Sequence, residues 1–501
     1  MADPFYISTA IHYPNGRPHI GHAYEMIAAD AIARFQRQHG RDVFFQTGTD
    51  EHGLKMVQTA RARGIEAREL ADEMSSYFRE MADVLDISYD RFIRTSEPEH
   101  YAASQAIWNA MADAGDLYLD RYEGWYSVRD EAFYEEKELT EGEGGEKLSP
   151  QGTPVEWTAE ETWFFKLSKY QQPLLDLYAA NPDFIRPESR RNEILRFVEG
   201  GLVDLSVSRT SFDWGVPVPG SPDHVMYVWV DALTNYITGA GYPHDVPRFE
   251  KFWPADIHLI GKDIVRFHAV YWPAFLMSAN LPLPRQVFGH GFLLNRGEKM
   301  SKSVGNVVDP MQLAELYGVD ALRYFLLRDV SFGNDGTFSD EAIVTRANAD
   351  LSNSFGNLAQ RVLAFIAKNC EGHVPEGRAE EADAVLLAEV DTACAAFRVA
   401  FDDLALSQGV EAWMTGVFAC NQYIDAQAPW ALRKTDAERM NAVLRTLLRA
   451  IRHLATTIMP VIPTSAGKLL IQLPSVDDED FRIAAPTPIF PRLELQATEE
   501  A

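Results

Sequence analysis

Residues 5–50 read FYISTAIHYPNGRPHIGHAYEMIAADAIARFQRQHGRDVFFQTGTD, and their order decides the fold class. The β-rich run FYISTAI meets the breakers of YPNGRP. Apolar residues then recur at helical spacing until Gly40 stops them, and DVFFQTGTD follows as a second buried-type strand. Strand, helix and strand in so short a span form a right-handed βαβ unit, the opening of a doubly wound parallel sheet. The alternation resumes where HVMYVWV runs into DALTNYITGAG, DIHLIG into KDIVRFHAVYWPAFLMSA, and RQVFGHGFL into a lysine-bearing loop. Open α/β sheets take ligands beyond the carboxyl ends of their strands. Polar clusters stand at those ends here: AIHY, TGTDEHG, VWVDA, IGKD and GHGF.

Outward from this core the texture changes twice. Residues 114–203 carry the Gly- and Glu-rich EEKELTEGEGGEKLSPQGTP between aromatic runs, which predicts a β-rich insertion with an exposed acidic hairpin loop. From ADLSNSFGNLAQRVLAFIAKN onward helical periodicity dominates, punctuated by Pro429, Pro460 and Pro463, as in a helix bundle. The extended tail IAAPTPIFPRLELQ is apolar enough to pack back on the body. The expected architecture is thus α/β: a Rossmann-like doubly wound parallel sheet in two halves (1–113 and 204–288), split by the insertion at 114–203, then a loop-bearing region at 289–353 and an α-helical bundle at 354–501.

With 501 residues, 46% of them hydrophobic and 24% charged, the chain has the balance of an ordinary globular protein of several packed units. A net charge of −27 argues against indiscriminate coating of nucleic acid, because each neutralised phosphate needs a local cation, but leaves room for a specific RNA partner. Neither a secretory start nor a membrane-length apolar run is present, so a cytoplasmic protein is expected. Cys370, Cys394 and Cys420 are too widely spaced for a zinc knuckle and read as reduced thiols.

Two clusters carry chemistry. His19 and His22 sit three apart at a helix start, on one face, where unpaired backbone N–H groups already favour an anion; Gly21 between them opens the backbone to a base or ribose. GEKMSKSVGN, residues 297–306, sets Lys299 and Lys302 among small, flexible residues. Taken alone, such lysines merely solubilise a loop. Beside an anion site, they suit adenylation, in which a carboxylate attacks the α-phosphate of ATP and pyrophosphate leaves with concentrated negative charge.

HIGH at 19–22 and KMSKS at 299–303 are the two signatures of class I aminoacyl-tRNA synthetases, and from end to end the chain resembles the methionyl-tRNA synthetase family. The resemblance implies formation of methionyl-adenylate from methionine and ATP with Mg2+, then transfer to the terminal adenosine of initiator and elongator tRNA(Met). It implies His19, His22, Lys299 and Lys302 as catalytic groups, with Gly21, Ser301 and Ser303 completing the ATP site. It implies a methionine pocket of Ala10, Ile11, Tyr13, Trp229, Ala232, Tyr236, Ile264 and His268, with Asp50 receiving the α-ammonium. Asn357, Arg361 and Trp430 match residues that read the anticodon, and 289–353 becomes the stem-contact region.

Two departures touch the pocket: Leu233 and His12 stand where the family often has proline. Many relatives also carry zinc-binding CxxC knuckles in the connective insertion, whereas Ser127, Asp130, Ser149 and Gln151 stand here. A metal-free knuckle packed around Trp125, Tyr126, Phe133 and Trp163 is expected instead, with no zinc. A sequence ending at Ala501 is expected to lack the additional C-terminal module of some family members, so a monomer is expected. Two other readings compete: a nucleotidyltransferase that never uses tRNA, against which the helical bundle argues, and a retired RNA-binding module, against which the intact histidines, lysines and Asp50 argue.

Overall fold

The structure, a computed structural model, describes residues 2–127, 132–142, 144–295, 297–300, 307–373, 376–473 and 482–495, with Tyr122, Ala132, Phe133, Ala159, Glu160 and Lys299 described by backbone alone. It divides into two compact units: Met1–Ala29, Gly40–Asp83 and Ile87–His290 form the first; Asp30–His39, Val84–Asp86 and Gly291–Ala501 the second.

The first unit is built on a six-stranded sheet of β1 (Pro4–His12), β2 (Asp42–Thr49), β3 (Arg91–Arg94), β4 (Ile185–Arg186), β5 (Ile257–Gly261) and β6 (Val287–His290). Their spatial order is β3-β2-β1-β5-β6-β4, and every pair is parallel. Strands buried on both faces carry near-continuous apolar runs rather than alternation, which is how FYISTAI and DIHLIG read. Between β1 and β5 the strand order reverses, and the crevice beyond their carboxyl ends is where an open α/β sheet accepts a ligand. Helix α1 (Ile20–Gln38) follows β1 as the spacing predicts, and Gly40 ends the segment at φ +81°.

HVMYVWV behaves differently from its sequence reading. Its strand (Ser221–Met226) belongs to a small antiparallel sheet apart from the parallel one, and a helix begins already at Val228. That helix runs to Ala240, and every residue from Val230 is buried, so it shows no polar stripe and its start mimics a strand.

The insertion is dominated by a long antiparallel hairpin, Leu117–Ser127 against Glu156–Phe165, and the acidic segment contains a two-stranded turn at Thr140–Glu141 and Lys147–Leu148. Before residue 204 the chain has already rejoined the core: helices Gln171–Ala180 and Glu188–Glu199 flank β4, which pairs with β6. A strand of two residues is too short to announce itself in a sequence.

In the second unit the strand Leu293–Asn295 pairs with Glu298–Lys299 and Gly336–Phe338. Helices Asn357–Asn369, Glu381–Asp402, Leu406–Gln427 and Ala437–Ile458 make the bundle. Trp413 fills its interior, fully buried, with its indole N–H donated to the Leu454 carbonyl at 2.9 Å. Arg323, also fully buried, is satisfied by Asp30 at 2.6 Å and by the carbonyls of Pro460 and Val461 at 3.1 and 3.0 Å, the only setting in which such a charge is tolerable. The tail packs back as expected: Leu493 N and O bond the Asn348 side chain at 2.8 and 2.9 Å, and Phe490 approaches Phe355.

Candidate active site

The crevice at the strand-order reversal gathers most of the residues that the sequence singles out. Ala10, Ile11 and His12 end β1, Tyr13 follows, and the Asp50 backbone N–H donates to the His12 carbonyl at 2.9 Å, fastening the end of β2 beside it. Helix α2 (Pro98–Asp113) and helix α3 (Val228–Ala240) also belong to this unit. From α3 come Trp229, Ala232 and Tyr236. After β5 the chain makes a short turn, Lys262–Ile264, and then a π-helical turn, Phe267–Tyr271, whose wider backbone presents His268; such turns recur at functional sites.

These pieces interlock through one histidine. His268 Nδ1–H donates to the Ile264 carbonyl at 2.9 Å, which fixes the tautomer, so Nε2 accepts from the Tyr236 hydroxyl at 2.6 Å. Burial pulls the His268 pKa down to about 4, so the ring is neutral. Trp229 lies edge-on to His268 and face-to-face with Phe267, centroids 3.7 Å apart and planes within 5°. Behind them Tyr236 packs on His258, whose pKa burial also depresses, while Trp272 donates to His258 Nε2 at 3.3 Å and Ser8 meets Nδ1 at 2.7 Å. The result is an aromatic wall with a neutral imidazole in it. Leu233, fully enclosed, faces the hydrophobic core and leaves the polar network intact.

At the start of α1 the His22 Nδ1 accepts the His19 backbone N–H at 3.0 Å, and the His19 Nδ1 accepts that of Gly21 at 3.1 Å. With both Nδ1 atoms acting as acceptors, the hydrogen of each neutral ring is on Nε2, the donor a phosphate oxygen requires. The rings lie 3.8 Å apart. A Cβ on Gly21 would come within 2.9 Å of His19 Cε1, so the glycine makes room for the neighbouring imidazole and not only for a ligand. His12, the departure from the family pattern, stacks on Phe78 and stands edge-on to His22 at 5.0 Å; burial lowers its pKa. It thereby props the second signature histidine.

Sequence reasoning missed a buried network beside this wall. Asp231, in the first turn of α3, accepts from His52 Nδ1 and His100 Nε2, both at 2.6 Å. Burial pushes its pKa up, but the two imidazoles outweigh that and hold it at about 2. The signal was present in TGTDEHG, PEHY and VWVDA, three polar clusters that only the fold brings together.

Two family profiles match the chain, that of class I tRNA synthetases (M) over residues 5–363 and that of the anticodon-binding domain of methionyl tRNA ligase over residues 374–487. The chain belongs to the class I methionyl-tRNA synthetase family. It is 59% identical to a methionine–tRNA ligase of Brucella suis biovar 1, covering 99% of both chains, and 58% identical to one of Mycobacterium bovis, covering 93% of this chain and 91% of that one. Among solved structures, that of Mycobacterium tuberculosis methionyl-tRNA synthetase in complex with methionyl-adenylate superposes with a TM-score of 0.94 at 55% identity over 98% of this chain and 100% of the other.

For this synthetase-family chain, the loop residues Ser301, Lys302 and Ser303 lie outside the described residues; Lys299 closes a two-residue strand of the second unit, its side chain undescribed. Within the bundle, Asn357 is exposed where the π-helical stretch Ala347–Gly356 passes into an α-helix, and Arg361, one turn on, reaches over the Trp430 ring at 5.2 Å while pairing with Asp425 at 2.8 Å. Trp430 is 44% exposed, so it is no core residue. In the insertion, the Ser127 and Ser149 hydroxyls lie 2.6 and 2.8 Å from Thr153 Oγ1, and Gln151 donates its backbone N–H to Ser149. Neutral hydroxyls bonded to one another are not a zinc donor set, which needs Cys or His. Asp130 is outside the described residues, and among those described no group of three His, Cys, Asp or Glu is placed to hold a metal ion. Trp125 packs edge-on to Trp157, and Tyr126 pairs with Phe133 across the strands. Trp163 differs from expectation: it pairs with Leu119 nearer the hairpin base and packs on Trp108 of α2, because it lies near the far end of the Glu156–Phe165 strand, away from the tip. No helix among the described residues is long and apolar enough to cross a membrane.

Proposed function

We propose that the chain is a methionine–tRNA ligase that joins methionine to ATP, releases pyrophosphate, and passes the methionyl group to the terminal adenosine of initiator and elongator tRNA(Met). The observation that carries this reading is the neutral His268, held by Tyr236 and Ile264 in edge contact with Trp229 at the strand-order reversal. A thioether is polarisable and flexible, and an aromatic wall with an uncharged imidazole holds it without the desolvation cost that a charged group would impose.

In this reading Ala10, Ile11, Tyr13, Ala232 and Ile264 complete the pocket, and Asp50 receives the α-ammonium, so the carboxylate is turned toward the nucleotide. One carboxylate oxygen attacks the α-phosphorus and the bond to the β-phosphate breaks. The His19 and His22 Nε2–H groups donate to the phosphate oxygens as charge develops there, and the Gly21 region receives the nucleoside. Lys299 and Lys302, with Ser301 and Ser303, offset the charge of the departing pyrophosphate. ATP enters with Mg2+, to which no side chain is assigned. The ribose hydroxyl of the tRNA then attacks the methionyl carbonyl and AMP leaves. Asn357, Arg361 and Trp430 choose the tRNA, an aromatic plane with a guanidinium being a clamp for splayed bases.

Incubation of the purified chain with ATP, Mg2+, labelled methionine and tRNA is expected to give labelled tRNA. Adenylate formation that leaves the tRNA bare would point to a nucleotidyltransferase, and no adenylate at all to a retired RNA-binding module.

A further inference from the structure

We infer that Asp231, His52 and His100 form a positioning clamp that sets the length of amino acid the pocket accepts, an assignment resting on the methionine-activating reading above. Asp231 stands on α3 between two pocket residues, Trp229 and Ala232, yet its carboxylate faces away from any role in binding: each oxygen is taken by an imidazole N–H at 2.6 Å. The two donors come from different parts of the unit. His52 follows β2 by three residues and Asp50 by two, while His100 belongs to α2. One carboxylate therefore fastens the wall of the side-chain pocket to the loop that carries the ammonium anchor, and braces both against a third element.

The network is closed off from the surface. Asp231 and His100 are 0% exposed and His52 is 1% exposed. The remaining ring nitrogens are engaged as well, His52 Nε2 with the Tyr101 hydroxyl at 3.0 Å and His100 Nδ1 with Thr238 Oγ1 at 3.1 Å, and Thr238 is itself a residue of α3. Trp214 closes over His52 edge-on at 5.2 Å and donates its indole N–H to the Glu51 carbonyl. Charge-assisted bonds in such surroundings are short and stiff. The span from ammonium anchor to aromatic wall is thus set by bonds that the substrate never touches. A misplacement of about 1 Å at a binding wall is enough to cost about a hundredfold in rate. None of the three is a catalytic residue; they act through Asp50, Trp229 and Ala232.

Pyrophosphate exchange by the full chain separates this from a merely structural role. It would be measured with methionine, with the shorter norvaline and with the longer ethionine, for the parent and for Asp231→Asn, His100→Asn and Tyr101→Phe. Asp231→Asn, which leaves an amide where two N–H donors converge, is expected to raise the KM for methionine on the order of tenfold with the KM for ATP little changed, and to narrow the preference for methionine over ethionine. Tyr101→Phe keeps the ring and loses only the hydroxyl on His52; it is expected to shift both quantities the same way, by severalfold. If Asp231→Asn fails to fold, Tyr101→Phe and His100→Asn decide. Folded variants with a lowered melting temperature but the parent's methionine KM and ethionine discrimination overturn the clamp and leave the methionine-activating reading standing. A parent chain that exchanges no pyrophosphate with methionine overturns that reading and takes the clamp with it.

Discussion

The wall around His268 and the surface around Trp430 are both aromatic, and they are built in opposite ways. In the first unit Tyr236, His268 and Trp272 are buried, with Tyr236 donating to His268, His268 to the Ile264 carbonyl and Trp272 to His258. In the second, Trp430 is exposed and Arg361 leans over it while pairing with the exposed Asp425. A small apolar side chain offers few contacts, so it is selected by a shape fixed before it arrives. RNA bases bring their own large π-faces, so a surface that reads them needs exposed planes and adaptable cations.

The sharpest way to test this contrast is in the first unit. On the proposed role of His22 as a transition-state donor, His22→Ala is expected to slow adenylate formation by about 2 to 4 kcal/mol of barrier while changing the methionine KM little, as read by single-turnover kinetics. An equal loss in methionine affinity would make it a binding residue instead.

Acid should break the buried wall before the exposed surface. His268 titrates near 4 when folded and near 6.5 when free, and burial lowers His12 and His258 in the same direction, so the unfolded chain binds more protons across that interval. The stability His268 contributes is complete above pH 6.5 and is lost progressively as the pH falls toward 4, by about 3 kcal/mol, and His12 and His258 act in the same direction. Melting temperatures at pH 8 and pH 5 check this. Asp231 adds nothing there, since its own interval runs from 3.8 down to 2.

In the second unit, Trp430→Ala should weaken tRNA in charging assays by about 1 to 3 kcal/mol, the worth of one stacked base, and leave pyrophosphate exchange without tRNA as it was. The smallest effect belongs to Tyr236→Phe. Loss of the hydroxyl that donates to His268 Nε2 should raise the methionine KM by about 1 kcal/mol, because the ring remains and only one hydrogen bond is lost.

What the sequence disclosed follows the same division between local and assembled features. The βαβ opening, the helix from Ile20 and the bundle were legible because strand runs, breakers and helical spacing are properties of adjacent residues. The HIGH and KMSKS clusters were legible for the same reason. The helix at Val228 was read late because burial on every side erases its period, and β4 was lost inside the insertion because two residues make no pattern. The Asp231 network joins positions 52, 100 and 231, residues with nothing in common until the sheet is folded. His12 looked like a disturbance to the pocket, and its stacking on Phe78 makes it a support.

The most direct measurement is ATP–pyrophosphate exchange by the purified chain with each of the twenty amino acids in turn. Exchange dependent on methionine, with the others near background, is expected from an uncharged aromatic pocket of fixed length. Faster exchange with another amino acid, or methionine-independent exchange, would contradict it.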